Sequence, residues 1–239
     1  MPSPFKRILI KLSGEALMGN QQFGIDYDTC HQIALSVKQV YDQGIKEIGI
    51  VVGGGNIFRG SQAEAFGFLR TPADHIGMLA TAINGIILQQ SLAAVGIKSR
   101  VMSALNCDLI VEPYVWGHAM NSLQEGIIVI FVGGTGNPYF TTDTAAALRA
   151  SEINAEILLK ATKVDGIYSD DPKINKNAVK YPQLTFSEVL AKKLNVMDAT
   201  AIALCRENQL PICIFNLFEE GAMLKAVNRK DVGSLIIGE

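Results

Sequence analysis

Residues 127–136 read IIVIFVGGTG. Six apolar residues, mostly β-branched, run without a polar interruption and stop at a glycine cluster. A run this short, with no alternation, is the pattern of a strand covered on both faces, as in a parallel sheet. The same pattern recurs on both sides of it. Upstream, Ile48 to Val52 runs into Gly53-Gly54-Gly55, and Arg7 to Leu12 runs into Ser13-Gly14. Ser99 to Met102, Glu156 to Lys160, Pro211 to Phe215 and Ser234 to Ile237 read as further strands. Helical spacing lies between them: Cys30, Ile33, Val37, Val40 and Tyr41, with Gly44 where a helix would stop, and a segment from about Asp143 to Ile153. Thr185 and Glu188 have capping-box spacing, and Asp198 can cap a helix over Ala199 to Glu207. Strands alternating with helices call for right-handed crossovers and a mostly parallel α/β sheet.

The bulk properties bound the function. The chain has 239 residues, 49% of them hydrophobic, with a formal net charge of −2. That is ample for a packed core and carries no basic footprint for nucleic acid. Cys30, Cys107, Cys205 and Cys213 include no C-x-x-C pair and read as free thiols of a reducing, cytoplasmic compartment. Ile76 to Ile97 contains no charge and is long enough to span a membrane. Thr81, Asn84, Gln89, Gln90 and Ser91 interrupt it, so it reads as a helix buried on most sides. Trp116 reads as a packing residue.

Three glycine-rich loops follow strands: 11–15 (KLSGE), 53–56 (GGGN) and 133–137 (GGTGN). Glycine admits close approach of backbone N–H groups to phosphate oxygens, and three such loops point to a polyanionic ligand. Neither the G-x-x-x-x-G-K-[ST] nor the G-x-G-x-x-G pattern occurs. Lys11, Arg59, Lys160 and Lys163 stand where cations could offset charge on a transferring phosphoryl group. For Lys160 and Lys163 a solvated strand end weighs equally. Candidate carboxylates are Asp74, Asp143, Asp165, Asp170, Asp171 and Asp198; helix capping is the plain alternative for Asp143. His31, His75 and His118 are dispersed, and no H-E-x-x-H or G-x-S-x-G occurs.

With these residues in view, the sequence resembles the bacterial uridylate kinases of the amino-acid kinase superfamily. The resemblance runs nearly end to end. It rests on 6–17 (KRILIKLSGEAL), 51–60 (VVGGGNIFRG), 74–81 (DHIGMLAT), 133–146 (GGTGNPYFTTDTAA), 158–172 (LLKATKVDGIYSDDP) and 196–204 (VMDATAIAL). It implies a doubly wound three-layer α/β sandwich around a mostly parallel sheet, one domain over residues 1–239, in hexamers built as trimers of dimers. It implies Mg²⁺-dependent transfer of the ATP γ-phosphoryl group to UMP, giving UDP and ADP for pyrimidine nucleotide synthesis. Under it, Lys11, Leu12, Ser13, Gly14, Gly55 and Arg59 hold the ATP phosphates, and Thr162, Tyr168 and Asp171 border the ATP nucleoside. Gly54, Asp74, Thr135, Gly136, Asn137, Pro138, Tyr139, Phe140, Thr141 and Thr142 hold UMP, with Asp74 toward the ribose. Lys11, Arg59 and Asp143 carry the catalysis, with Mg²⁺ on the nucleotide phosphates and Asp143 organising both the metal and Lys11. UTP inhibition is implied. GTP activation of related enzymes meets a departure here: Gln89, Gln90, Ala93 and Ile127 stand where charged or polar groups are expected, although Arg100 is retained. A small-carboxylate kinase and a non-catalytic oxyanion-binding relative are the alternatives. The first is opposed by the TGNPYFTTD element, the second by the presence of Lys11 and Asp143.

Overall fold

Lys11 and Lys160 owe their places to a nine-stranded sheet, seen in a computed structural model that describes residues 5–59, 63, 66–172, 174–194, 196–230 and 232–238. Gly60, which closes one of the quoted motifs, lies outside the described residues. The strands are β1 (Arg7–Leu12), β2 (Glu47–Val52), β3 (Ser99–Ser103), β4 (Glu112–Pro113), β5 (Ile128–Val132) and β6 (Leu158–Thr162). A small hairpin of β7 (Ile167–Tyr168) and β8 (Lys180–Tyr181) interrupts them, and β9 (Gln183–Thr185), β10 (Ile212–Asn216) and β11 (Ser234–Ile237) complete the set. The order across the large sheet is β4–β3–β5–β2–β1–β6–β10–β11–β9. Every neighbouring pair in it is parallel except β10–β11.

Helices cover both faces. Ile8, Ile10 and Leu12 of β1 pack toward α1 (Tyr27–Asp42), α2 (Arg70–Ala94) and α7 (Ala222–Val227), through Cys30, Ile33, Leu88, Leu92, Met223 and Val227. Leu9, Val129 and Phe131 pack toward α3 (Trp116–Gln124), α4 (Thr142–Glu152), α5 (Phe186–Ala191) and α6 (Ala199–Glu207). The result is a three-layer α/β sandwich. All six residues of β2 are buried, and each fully buried Ile or Leu contributes about 2 kcal/mol. Asp26 caps α1, its carboxylate accepting the Thr29 N–H at 2.8 Å. The Thr185–Glu188 capping box is formed in both directions at α5, and Asp198 caps α6.

Several boundaries move. Glu156 does not start β6: its carboxylate turns back to accept the Lys6 and Arg7 backbone N–H groups, and pairing begins at Leu158. Helix α2 is buried along one stripe only (Ala73, Met78, Ala80, Thr81, Asn84, Gly85, Leu88, Leu92), while Ile76, Leu79 and Ile83 are exposed. In the single chain this face is open, so burial on most sides would need a neighbouring subunit. Among the described residues it is the one helix apolar and long enough to cross a membrane, and its buried stripe packs on β3 and β5 as a core helix does. At Gly85 an added Cβ would lie 2.4 Å from Val132 Cγ1, so glycine permits this close seat. Residues 166–182 contain the β7–β8 hairpin. Strand β4 and helices α3 and α7 are short elements that periodicity does not reveal. Trp116 is half exposed rather than packed, and its indole N–H donates to the Glu152 carbonyl at 2.7 Å.

Candidate active site

Strand alternation decides which cations meet. With Ile8, Ile10 and Leu12 facing one layer, Lys11 points with Leu9 toward α4. In β6, Leu159 and Ala161 take the first face, and Lys160 points with Leu158 to the second. The strands are parallel neighbours, with Lys11 directly opposite Lys160. Two ammonium groups side by side repel unless a negative charge lies between them. Asp143, in the first turn of α4, supplies it: Lys11 Nζ is 2.8 Å from Oδ1 and Lys160 Nζ is 2.7 Å from Oδ2. Lys160 also donates to the Val196 carbonyl at 2.5 Å. The Lys11 contact is an ion pair without hydrogen-bond alignment, so Oδ1 accepts no hydrogen bond.

Capping of α4 falls to Thr141, whose hydroxyl accepts the Asp143 N–H at 3.0 Å. This corrects the capping reading of Asp143 and leaves that carboxylate for the lysines. Asp198 does more than cap α6. It accepts the Ala201 N–H at 2.8 Å and hydrogen bonds from the Thr144 and Thr141 hydroxyls, which ties the start of α4 to α6. Burial alone would raise the Asp143 carboxyl, but the two ammonium groups outweigh it and hold it below its ordinary value of 3.8. Lys160 moves down from 10.5: burial and the Lys11 charge together outweigh the pull of Asp143. Three thiols are buried and inert, with Cys30 pushed up to about 11 and Cys205 and Cys213 to about 12 by desolvation.

The glycine loops converge above this charge cluster. A Cβ on Gly14 would lie 2.5 Å from Asn56 Oδ1 and 2.6 Å from the Gly55 nitrogen, so the first two loops touch backbone to backbone. The third begins at Gly133, whose N–H donates to the Thr81 hydroxyl at 2.7 Å. Two cavities flank the cluster. One of about 560 Å³ is lined by Lys160, Thr162, Val164, Tyr168, Asp171 and Ile214, among others. The other, about 260 Å³, is lined by Gly54, Gly55, Asp74, Phe140, Thr141 and Thr142, among others. Lys160 lines the first cavity, and Thr141 and Thr142, beside Asp143 in sequence, line the second.

Residues 6–216 match the family model described as the amino acid kinase family. The chain belongs to the amino acid kinase family. Within that family it belongs with the uridylate kinases. It is 63% identical, over 212 residues, to the uridylate kinase of Protochlamydia amoebophila (strain UWE25), covering 89% of this chain and 84% of that protein. Its fold superimposes on the crystal structure of UMP kinase from Bacillus anthracis with a TM-score of 0.96 at 40% identity, covering 99% and 97% of the two chains. For UMP kinase from Ureaplasma parvum the TM-score is 0.91 at 38% identity, covering 97% and 98%.

This amino acid kinase family member brings many of the sequence-derived candidates together. Thr162, Tyr168 and Asp171 share the larger cavity, and Gly54, Asp74, Phe140, Thr141 and Thr142 the smaller. Thr135, Gly136, Asn137, Pro138 and Tyr139 lie on the same loop but outside that cavity lining. The Thr135 hydroxyl accepts the Asn137 N–H at 3.2 Å, a local turn. Leu12 is fully buried in the core and its carbonyl accepts the Gly53 N–H, so neither group reaches a phosphate. Arg59 folds back over its own loop, its Nε donating to the Gly55 carbonyl at 3.1 Å with Glu15 3.1 Å from its guanidinium. Asp74 accepts the Tyr139 N–H at 2.7 Å and both oxygens accept from Arg70. Lys163 is exposed, whereas Lys160 is partly buried in the charge cluster. Sequence reasoning held Lys160 open and did not find Thr81, Asn84 or Thr144. Their one signal was polarity inside otherwise apolar helices.

Proposed function

We propose that this chain transfers the γ-phosphoryl group of ATP to the phosphate of UMP, giving ADP and UDP. The observation that carries the reading is Asp143 clamped between Lys11 and Lys160, with one cavity lined by Lys160 and a second lined by Thr141 and Thr142 at the start of the helix that bears Asp143. An oxygen of the UMP phosphate attacks the γ-phosphorus as the bond to the bridging oxygen of the departing ADP breaks. That oxygen is already ionised, so no general base is required. The task is to hold two polyanions in line and offset their charge. In this reading Lys11 faces the transferring phosphoryl group and Lys160 shares the load. Asp143 keeps both ammonium groups aimed and charged. Ser13, Gly14 and Gly55 present backbone N–H groups to the ATP phosphates, and Arg59 swings from its own loop onto them. The 135–142 segment reads the uracil by hydrogen bonds, a design that penalises bases leaving buried groups unpaired.

A divalent cation belongs to this chemistry, and we assign Mg²⁺. Among the described residues no cluster of three His, Cys, Asp or Glu side chains could hold a metal by itself. The donor set fits an ion carried in on nucleotide phosphates, with Asp143 Oδ1, which accepts no hydrogen bond, as its one protein ligand. Bound there, the ion would neutralise charge on the phosphate oxygens.

We further read residues 1–239 as one domain, because β1, β6, β10 and β11, drawn from the whole length, share one sheet. We place it in the cytoplasm, for which four free cysteines speak. The exposed Ile76, Leu79 and Ile83 support assembly into a homohexamer, a trimer of dimers. The groove of about 620 Å³ between the end of α2 and β3 is lined by Gln89, Gln90, Ala93, Lys98, Arg100 and Ile127, among others. Beside Lys98 and Arg100 the groove offers only neutral amides and apolar groups, which weighs against activation by GTP, with UTP as inhibitor at the acceptor site. A GTP titration against initial rate, expected flat, tests the first point, and UTP competition against UMP tests the second.

The central experiment is ADP release with Mg·ATP and UMP, beside CMP, dUMP, AMP and N-acetylglutamate as separate acceptors. Turnover with UMP far above every other acceptor is expected. Preference for N-acetylglutamate would move the chain to the small-carboxylate kinases of its family.

A further inference from the structure

The inner face of α2 carries a short polar stripe in an otherwise apolar helix, and each member holds a loop of the site. The Thr81 hydroxyl donates to the Met78 carbonyl at 2.6 Å and accepts the Gly133 N–H at 2.7 Å. One turn on, the Asn84 amide donates to the Gly53 carbonyl and to Asn56 Oδ1, both at 2.7 Å. Asn56 returns a hydrogen bond to Asn84 Oδ1 at 3.0 Å and donates to the Gly24 carbonyl at 2.9 Å. Two turns back, Asp74 accepts the Tyr139 N–H. One helix thus grips the 133–139 loop at both ends and the 53–56 loop at its start. Thr81, Asn84 and Asn56 are all but fully buried, so water cannot replace these bonds.

We propose that Thr81 is a positioning residue for the acceptor nucleotide. Its hydroxyl fixes where the 133–142 loop leaves β5, and so where the base-reading segment lies relative to the glycine loop held by Asn84. The second hydroxyl bond, to the Met78 carbonyl, uses up its proton and leaves the oxygen oriented as an acceptor for Gly133. This inference rests on the reading of 133–142 as the UMP segment. Thr81 acts through the Gly133 amide and not through the reacting atoms. The effect of losing it is therefore confined to one substrate.

The test is Thr81→Val, which keeps the shape and removes the hydroxyl, beside Thr81→Ser, which restores it. Thr81→Val is expected to raise KM for UMP by about tenfold, the size of one lost buried hydrogen bond. KM for ATP should stay within about twofold, and Thr81→Ser should recover the UMP value. Hydrogen exchange of the peptide spanning Gly133 should accelerate in the Val variant alone. An unchanged KM for UMP, equal rises for both substrates, or no rescue by serine would overturn the proposal. The exchange arm reads the loop without turnover. If the wild-type chain failed to phosphorylate UMP, the acceptor assignment would fall while unchanged exchange in Thr81→Val would separately sink the role of Thr81.

Discussion

Two lysines, one buried and one partly so, share one carboxylate, and that imbalance is the chemical content of the site. It leaves a net positive charge ready for phosphate oxygens. Lys11→Ala removes the member nearest the glycine loops while Lys160 still pairs with Asp143. Its kcat should fall about a thousandfold with the fold retained, as for loss of a preorganised transition-state cation. Initial rates beside a thermal melt check both halves. Asp143 has a different signature. Its carboxyl is held below 3.8, so its stabilising contribution is complete above pH 3.8 and drains away as pH falls through the lowered value. Asp143→Asn should flatten that acid limb. It should also cost about 3 kcal/mol at neutral pH, because two buried ammonium groups lose their counter-charge. Denaturant titrations across the acid range decide this. A residue-scale reading of the sequence could see that Lys160 was charged. It could pair Asp143 with Lys11, but it could not see that register sets Lys160 opposite Lys11 on the same carboxylate, since that depends on strand pairing.

Local patterns at the element scale were legible where one physical signal dominated. The apolar runs of β1, β2 and β5 announce buried strands, and the Thr185–Glu188 spacing announces the start of α5. Thr185→Ala should therefore cost about 1 kcal/mol, measured by equilibrium unfolding. Short elements escaped. The two residues of β4 pair only because β3 lies alongside, and α7 spans six residues whose burial comes from α1 and β10. Thr81 and Asn84 escaped for another reason: in a charge-free stretch they looked like interruptions, whereas they are the points at which the helix grips two loops. Glycine at the loop junction is a steric requirement. Gly14→Ala would push the first two loops apart against Asn56 and the Gly55 backbone, and should raise KM for ATP while the sheet beneath stays intact. Kinetics with far-ultraviolet circular dichroism would check that separation.

For the molecule as a whole, the mostly parallel sheet and its two helical layers were readable from the alternation of strands and helices, because crossover geometry allows few alternatives. Assembly was readable only through resemblance. Ile76, Leu79 and Ile83 place an apolar face on the solvent side of α2 in the single chain. Leu79→Glu with Ile83→Glu should shift the sedimenting species from the proposed hexamer to smaller forms, and an unchanged coefficient would exclude this face as an interface. The order of the sheet has one more consequence. β11 lies between β10 and β9, and its first residue, Ser234, accepts the Ile167 N–H on its hydroxyl at 2.8 Å. The edge of the larger cavity thus hangs on a strand that follows nearly all the rest in sequence. During synthesis, β1 to β6 can pair while the chain is still growing, but β9 has no neighbour until Ser234–Ile237 clear the ribosome exit tunnel. A nascent chain stalled short of Ser234 should carry the charge cluster yet fail to retain ATP.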